Sequence, residues 1–228
     1  MSLRSHSRRI VAAAAVAIPA LVLSTACSTD KAAAPSSVAA ADTVALNESN
    51  AVIIEWQGQT GSDSSFTSFN GANFIQSYLD GSGNFNNTRL LVQYSLPKLA
   101  GKGAVDSAKM YSFVCSNEGD AIADSVVVDH VNWGAVYEDS AAWGGLTVQA
   151  NIGTLVRDTT TGWKSVDVTS SIQADYVAKR TTSQYRFEYG FGTEPVGDRV
   201  VWIAGGDCED GGPQQPNAGP SYLVVWAH

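Results

Sequence analysis

Short apolar segments, each closed off by turn-forming residues, recur from residue 51 to the end of this chain, and they restrict its fold more than any other feature. "AVIIEW" (51–56), "NFIQSYL" (73–79), "TRLLVQYSL" (88–96) and "AKMYSFVCS" (108–116) are rich in β-branched or aromatic residues. Stretches such as "DGSGNFNN" and "LAGKGAV" separate them. "SVVVDHV", "LTVQANI", "WKSVDVT", "QYRFEYGF", "RVVWIAG" and "SYLVVWA" continue the pattern. Side chains alternate across a strand, so runs of this length and composition pack as strands between tight turns. About ten strands at this spacing predict an all-β antiparallel sandwich or barrel. Only "TSSIQADYVAKR" (169–180) has helical spacing. Thr169 or Ser170 is its expected cap, with Ile172, Tyr176 and Val177 on one face. No internal repeat is present, which argues against a propeller or solenoid. Trp202 and Trp226 lie in strongly apolar strands and are expected in the core.

The first 26 residues belong to a different problem. Arg4, Arg8 and Arg9 precede an uncharged apolar run from Ile10 to Ala26, interrupted by Pro19 and too short for a comfortable membrane span. A basic start, an apolar middle and small residues before a cut point describe an export signal. The run "LSTAC" resembles a bacterial lipoprotein processing site, which implies that Cys27 is acylated and becomes the new N-terminus. Ser24 stands where that site usually has leucine, and Leu23 lies one position further away. The alternative is an ordinary cleaved signal followed by a chance cysteine. More than one acyl chain would make attachment to the cell envelope stable. "STDKAAAPSSVAAADTVA" then reads as a flexible tether over residues 27–47, and residues 48–228 as one β-sandwich domain.

Charge excludes one class of partner. The chain has 14 basic and 22 acidic residues, and the signal holds three of the basic ones, so the remainder carries a net charge of −11. No basic patch for nucleic acid follows from such a balance.

With Cys27 set aside, Cys115 and Cys208 remain. An exported protein with an even pair favours a disulfide, which would close a loop of about 90 residues and contribute roughly 4–5 kcal/mol. Two separate buried thiols are the alternative. Neither cysteine has a nearby Cys or His of zinc-site spacing.

The region "VVVDHVNWGAVYEDSAAWGG" (126–145) concentrates chemistry-bearing residues, including His130, the only histidine away from the chain ends. No G-x-S-x-G elbow and no H-E-x-x-H motif accompanies it. Alternation puts Val127, Asp129 and Val131 on one face and Val128, His130 and Asn132 on the other, so His130 reads as a half-exposed strand residue rather than a catalytic base. Glu138 and Asp139 are adjacent, whereas a glycosidase needs two carboxylates across one bond. No catalytic residue is assigned. For an ion, the turns at "YLDGSGNFNN" and "GGDCEDGG" offer Asp80, Asn84, Asp207, Glu209 and Asp210, oxygen ligands that suit Ca²⁺. Turn chemistry alone also accounts for such residues.

Several segments in order carry a resemblance. "NTRLLVQYSLPKLAGKGAVDSAKMYSFV", "VDHVNWGAVYEDSAAWGG", "GWKSVDVTSSIQADYVA" and "VVWIAGGDCEDGGPQQPNAGPSYLVVWA" resemble successive segments of DNRLRE-type domains, related to jelly-roll carbohydrate-binding modules. The likeness covers most of residues 70–226. The family's closing "S-x-E" is replaced here by "GGDCED". The resemblance implies a jelly-roll fold, structural roles for Arg89 and Asp167, and a carbohydrate ligand. Asp167 is expected to bond backbone amides at a strand-to-helix corner. Sugar sites combine aromatic faces with amides and carboxylates. By residue type every tryptophan qualifies, and Trp133, Tyr137, Glu138 and Trp143, in the connection after the histidine strand, form the expected site. The leading expectation is a non-catalytic envelope lipoprotein that binds a polysaccharide. A structural or adhesive envelope protein, or a polysaccharide-degrading enzyme, are the competing ones.

Overall fold

The computed structural model describes residues 41–69, 73–119, 125–134, 143–144, 147–190, 198–204, 208 and 218–228. All lie in one unit, residues 39–228. Eleven strands are present: β1 (Asp42–Gln59), β2 (Ser64–Phe69), β3 (Phe74–Leu79), β4 (Asn84–Ser95), β5 (Val105–Gly119), β6 (Val126–Val131), β7 (Thr147–Val156), β8 (Gly162–Asp167), β9 (Thr182–Tyr189), β10 (Arg199–Ile203) and β11 (Tyr222–Ala227). One 3₁₀ turn (Pro97–Leu99) and one α-helix, α1 (Thr169–Val177), complete the described elements. Strands expected from periodicity recur within a few residues apart from the longer β1, and β2, polar apart from its two phenylalanines, is the addition.

Every described pairing is antiparallel, and the fold is a β-sandwich. β1 joins its two layers. Residues 42–47 pair with β11; after a bulge between Glu48 and Asn50 the same strand pairs with β4, and residues 53–58 also pair with β2. A bulge bends its strand and raises the local twist, which lets one strand turn the corner between layers. On one side of that corner lie β11, β5 and β8; on the other lie β4, β9, β6 and β7. β3, paired with both β4 and β10, connects the layers again.

Alternation fills the interior. Leu90, Val92 and Tyr94 of β4, Tyr185, Phe187 and Tyr189 of β9, and Leu223 and Val225 of β11 share the main core with Met110 and Ile172. The outward residues of β4, β6 and β9 are buried too, packed with Trp133 and Trp143. Close approach of layers leaves little room at Gly153 of β7, where an added Cβ would lie 2.4 Å from Val166 Cγ1.

Five expectations change. β1 begins at Asp42, inside the stretch expected to be tether, because pairing with β11 satisfies its backbone. α1 starts after Val168 without a side-chain cap from Thr169 or Ser170. Instead, Asp167 Oδ1 accepts the Thr169 N–H at 2.9 Å, the corner role the resemblance implied. Val177 is 80% exposed and does not share the buried face of Ile172. Trp202 and Trp226 are only partly buried, since their neighbours Val201, Ile203, Val225 and Ala227 take the inward positions. His130 is buried rather than half-exposed, because α1 covers its end of β6.

Candidate functional site

β6 supplies Asp129 and His130 to opposite faces, and each meets a different partner. His130 Nε2 donates to Asp175 Oδ2 of α1 at 2.9 Å, and both residues are 1% exposed. Arg180 Nη1 donates to the other carboxylate oxygen at 2.8 Å. With both oxygens occupied, the group ties the helix to the sheet.

On the outer face, Asp129 Oδ2 accepts from Arg186 Nη2 at 2.5 Å. Arg186 Nη1 donates to the Trp143 carbonyl at 2.9 Å, and Nη2 to Thr147 Oγ1 at 3.0 Å. Arg89 Nη1 donates to the same Trp143 carbonyl, while its Nε pairs with Glu188 at 2.7 Å. The Arg89 guanidinium lies 4.2 Å from the centre of the Trp143 ring. Register explains the grouping: Leu90 faces Phe187, so Arg89, Glu188, Arg186 and Asp129 fall on adjacent positions of one face. Two cations and two anions balance, as buried charge requires. Burial lowers Arg89 to about 10 against the pull of Glu188, so it stays charged near neutrality. Burial also pushes Glu188 up, opposed by Arg89 and Arg186.

Gln184 holds the start of the same connection. Its Oε1 accepts the Trp133 N–H at 2.9 Å and its Nε2 donates to the Gly134 carbonyl at 2.9 Å and to Gln93 at 2.7 Å. Trp133 and Trp143 then pack with Ile54, Leu91, Val131, Trp56 and Phe66. They are 8% and 7% exposed. Those two tryptophans were expected to meet a ligand; in the fold they cover a sheet face, and neither has an open ring face for stacking. Tyr137 and Glu138, the other two residues of that expected site, lie outside the described residues, as does Cys27.

The expected calcium turn is likewise closed on itself. Asp80 Oδ1 accepts the N–H groups of Ser82 and Asn84 at 2.8 and 2.9 Å, and Oδ2 accepts from Asn84 Nδ2 at 2.8 Å. The Asn84 side chain, followed by its backbone N–H, holds the Asp80 carboxyl below its usual range. Gly83, at φ +81°, completes the turn in a conformation suited to glycine. Asp80 and Asn84 thus shape a turn, and Asp207, Glu209 and Asp210 lie outside the described residues. Among the described residues, no group of three or more His, Cys, Asp or Glu is placed to hold a metal ion.

Cys115 and Cys208 form a disulfide, with Cα atoms 5.6 Å apart. It packs with Phe113, Ala204, Trp202 and Ala218 and fastens the segment after β10 to β5.

Beside that disulfide, among the described residues, lies a partly exposed aromatic cluster. In-register pairing aligns Asn47, Tyr222, Tyr111 and Ser165 across β1, β11, β5 and β8, with Trp163 next to them opposite Phe113. Tyr111 and Tyr222 stack at 5.0 Å and 12°. Trp163 meets the Tyr222 ring at 5.1 Å and 69°, and Phe113 at 5.4 Å and 88°. Edge contacts of this kind fix a ring without covering both faces. Trp163 is 40% exposed. Lys109 and Asp167 border the group from the next row of the same face, both exposed. Trp163 qualified by residue type in the sequence, but only register between three strands distant in the chain gathers its neighbours.

The fold and this surface define an antiparallel β-sandwich domain stapled by one disulfide, with an aromatic cluster on an outer sheet face. No protein-family model matches the chain, and no curated protein matches it.

Proposed function

We propose that this protein is a cell-envelope lipoprotein whose β-sandwich domain binds a polysaccharide, through the face around Trp163. The observation that carries the reading is the exposed Trp163 ring, held by Tyr222 and Phe113 at steep angles on an open sheet face. A pyranose presents CH groups on one side and hydroxyls at its rim. An indole with an open face meets the first, and the Tyr111 and Tyr222 hydroxyls, Ser165, Lys109 and Asp167 supply donors and acceptors for the second. Such a site recognises and does not cleave. The likeness to DNRLRE-type domains supports the same ligand class, and the signal and cysteine at the N-terminus support export and acylation at Cys27. A tethered domain of net negative charge suits a neutral glycan better than a polyanion.

A glycan array probed with residues 39–228, which hold the entire described core, tests the reading. Binding to a neutral polysaccharide, lost in Trp163→Ala and unchanged by chelation of calcium, is the expected result. No binding across plant, algal and bacterial glycans would turn the assignment to an adhesive or structural envelope protein, and release of shortened products would turn it to an enzyme.

A further inference from the structure

A groove of about 800 Å³ opens between the 3₁₀ turn, the segment leading into β5 and the C-terminal end of α1. Leu96, Pro97, Ala100 and Val105 line it on the turn side, Tyr176 and Val177 on the helix side. Its walls are tied together: Tyr176 OH donates to the Lys102 carbonyl, and Gln173 Nε2 donates to the Val105 carbonyl at 2.9 Å. Val177, 80% exposed at its edge, is the most exposed large apolar side chain among the described residues. The groove is therefore preformed, apolar and open.

Cations surround it in a chain that is otherwise acidic. Lys179 and Arg180 line it, and Lys98 and Lys102 flank it on the adjoining turn. Eleven basic residues follow the signal, of which Arg89 and Arg186 are buried, so four of the remaining nine gather here. Arg180 pairs with Asp175 and Lys102 with Asp42. Lys98 and Lys179 make no ion pair among the described residues, and Lys98 Nζ donates to the Ala45 carbonyl at 3.4 Å. An apolar trough flanked by four cations, two of them outside any ion pair among the described residues, is complementary to an anionic amphiphile.

The point where the chain enters the domain selects the source of that amphiphile. Asp42, the first residue of β1, is held by Lys102 beside the groove. Cys27 lies 15 residues upstream, a reach of at most about 50 Å when extended. An anchor there would hold Asp42, and with it the groove, within that distance of the bilayer.

We infer that the groove is a second membrane contact, which seats anionic phospholipid of the leaflet carrying the anchor. Acyl chains lie against Leu96, Tyr176 and Val177, and headgroup phosphates meet Lys98 and Lys179. Its position relative to the bilayer rests on the lipoprotein reading above; its chemistry does not.

Vesicle co-sedimentation of residues 39–228, which lack the signal and Cys27, tests the groove alone. The domain is expected to bind vesicles of phosphatidylcholine mixed with phosphatidylglycerol, less so as salt rises, and not vesicles of phosphatidylcholine alone. Lys98→Glu and Lys179→Glu should each weaken binding by about fivefold or more, as for a surface charge near an anionic leaflet. Val177→Asp, at an exposed position that leaves the fold intact by circular dichroism, should abolish it. Absence of binding, equal binding to both vesicle types, or binding untouched by these variants would overturn the inference. So would a concentration-dependent dimer in sedimentation velocity that Val177→Asp dissolves. Palmitate labelling of the full chain at Cys27 reads the anchor separately. Vesicle binding without labelling retains the groove and removes only the anchor, and labelling without vesicle binding removes only the groove.

Discussion

Arg89 of β4 and Trp143, 54 positions later in the chain, are joined twice: the guanidinium donates to the Trp143 carbonyl and lies 4.2 Å from the centre of its ring. This double contact brings Trp143 down onto the outer face of β4, β9 and β6. It explains why a strand such as "VVVDHV" is buried on both sides while belonging to an antiparallel sheet.

The first expectation concerns that contact. Arg89→Leu leaves Glu188 and Asp129 sharing Arg186 alone, an uncompensated charge in a site that excludes water. Removing one partner of a buried pair costs about 3–5 kcal/mol. Chemical denaturation should show a loss of that size, and acrylamide should reach tryptophan in the variant more readily than in the parent.

Glu48 gives a pH dependence. At the corner where β1 changes layers, burial raises its carboxyl to about 7, partly offset by a hydrogen bond from Ser221. The folded state therefore holds the proton more tightly than the unfolded chain, whose carboxyl titrates near 4.5. Stability from this group is fully present below pH 4.5 and is lost as pH rises to about 7, by up to about 3 kcal/mol. Glu48→Gln should remove the slope. Urea titrations at about pH 4.5 and 8 should separate the two proteins only at the higher pH, with the glutamine variant the more stable.

The disulfide is a further test. Cys115 and Cys208 are separated by 93 positions. Replacing both with serine should cost roughly 4–5 kcal/mol in the chain-entropy description. Thermal melts with and without reductant should reproduce that difference in the parent and show none in the double variant.

The tryptophans divide by role. Trp133→Ala empties a site walled by Ile54, Leu91 and Val131 and should cost about 3–5 kcal/mol. Trp163→Ala removes a partly exposed ring with two edge contacts and should cost about 1–3 kcal/mol, less than Trp133→Ala, while glycan binding disappears. Paired denaturation and binding measurements distinguish the two, and a Trp163→Ala protein that binds as the parent does would remove the proposed site.

Much of the fold was legible because strand periodicity is a local property. Alternation at Leu90, Val92 and Tyr94, or at Leu223 and Val225, needs no knowledge of partners, and the extracellular logic of a cysteine pair led to Cys115–Cys208. Asp167 was likewise readable, since its bond to Thr169 spans two residues. The polar alternation of Gln184, Arg186 and Glu188 was present in "QYRFEY" and signalled a second face, but not that a distant connection would bury it.

What the sequence by itself determined is the class: an antiparallel β-sandwich with one short helix and an acidic surface. Those follow from residue spacing and composition, which act within a few positions. The tertiary structure alone decided which aromatics are covered and which are open. Trp133 and Trp143 lie against Arg89, Arg186 and Gln184, whereas Trp163 stays 40% exposed beside Tyr222 and Phe113, because exposure is settled by registers between strands far apart in the chain. Local chemistry cannot encode that choice, since an indole in a loop and an indole on a strand are equally able to pack or to bind until a neighbour arrives.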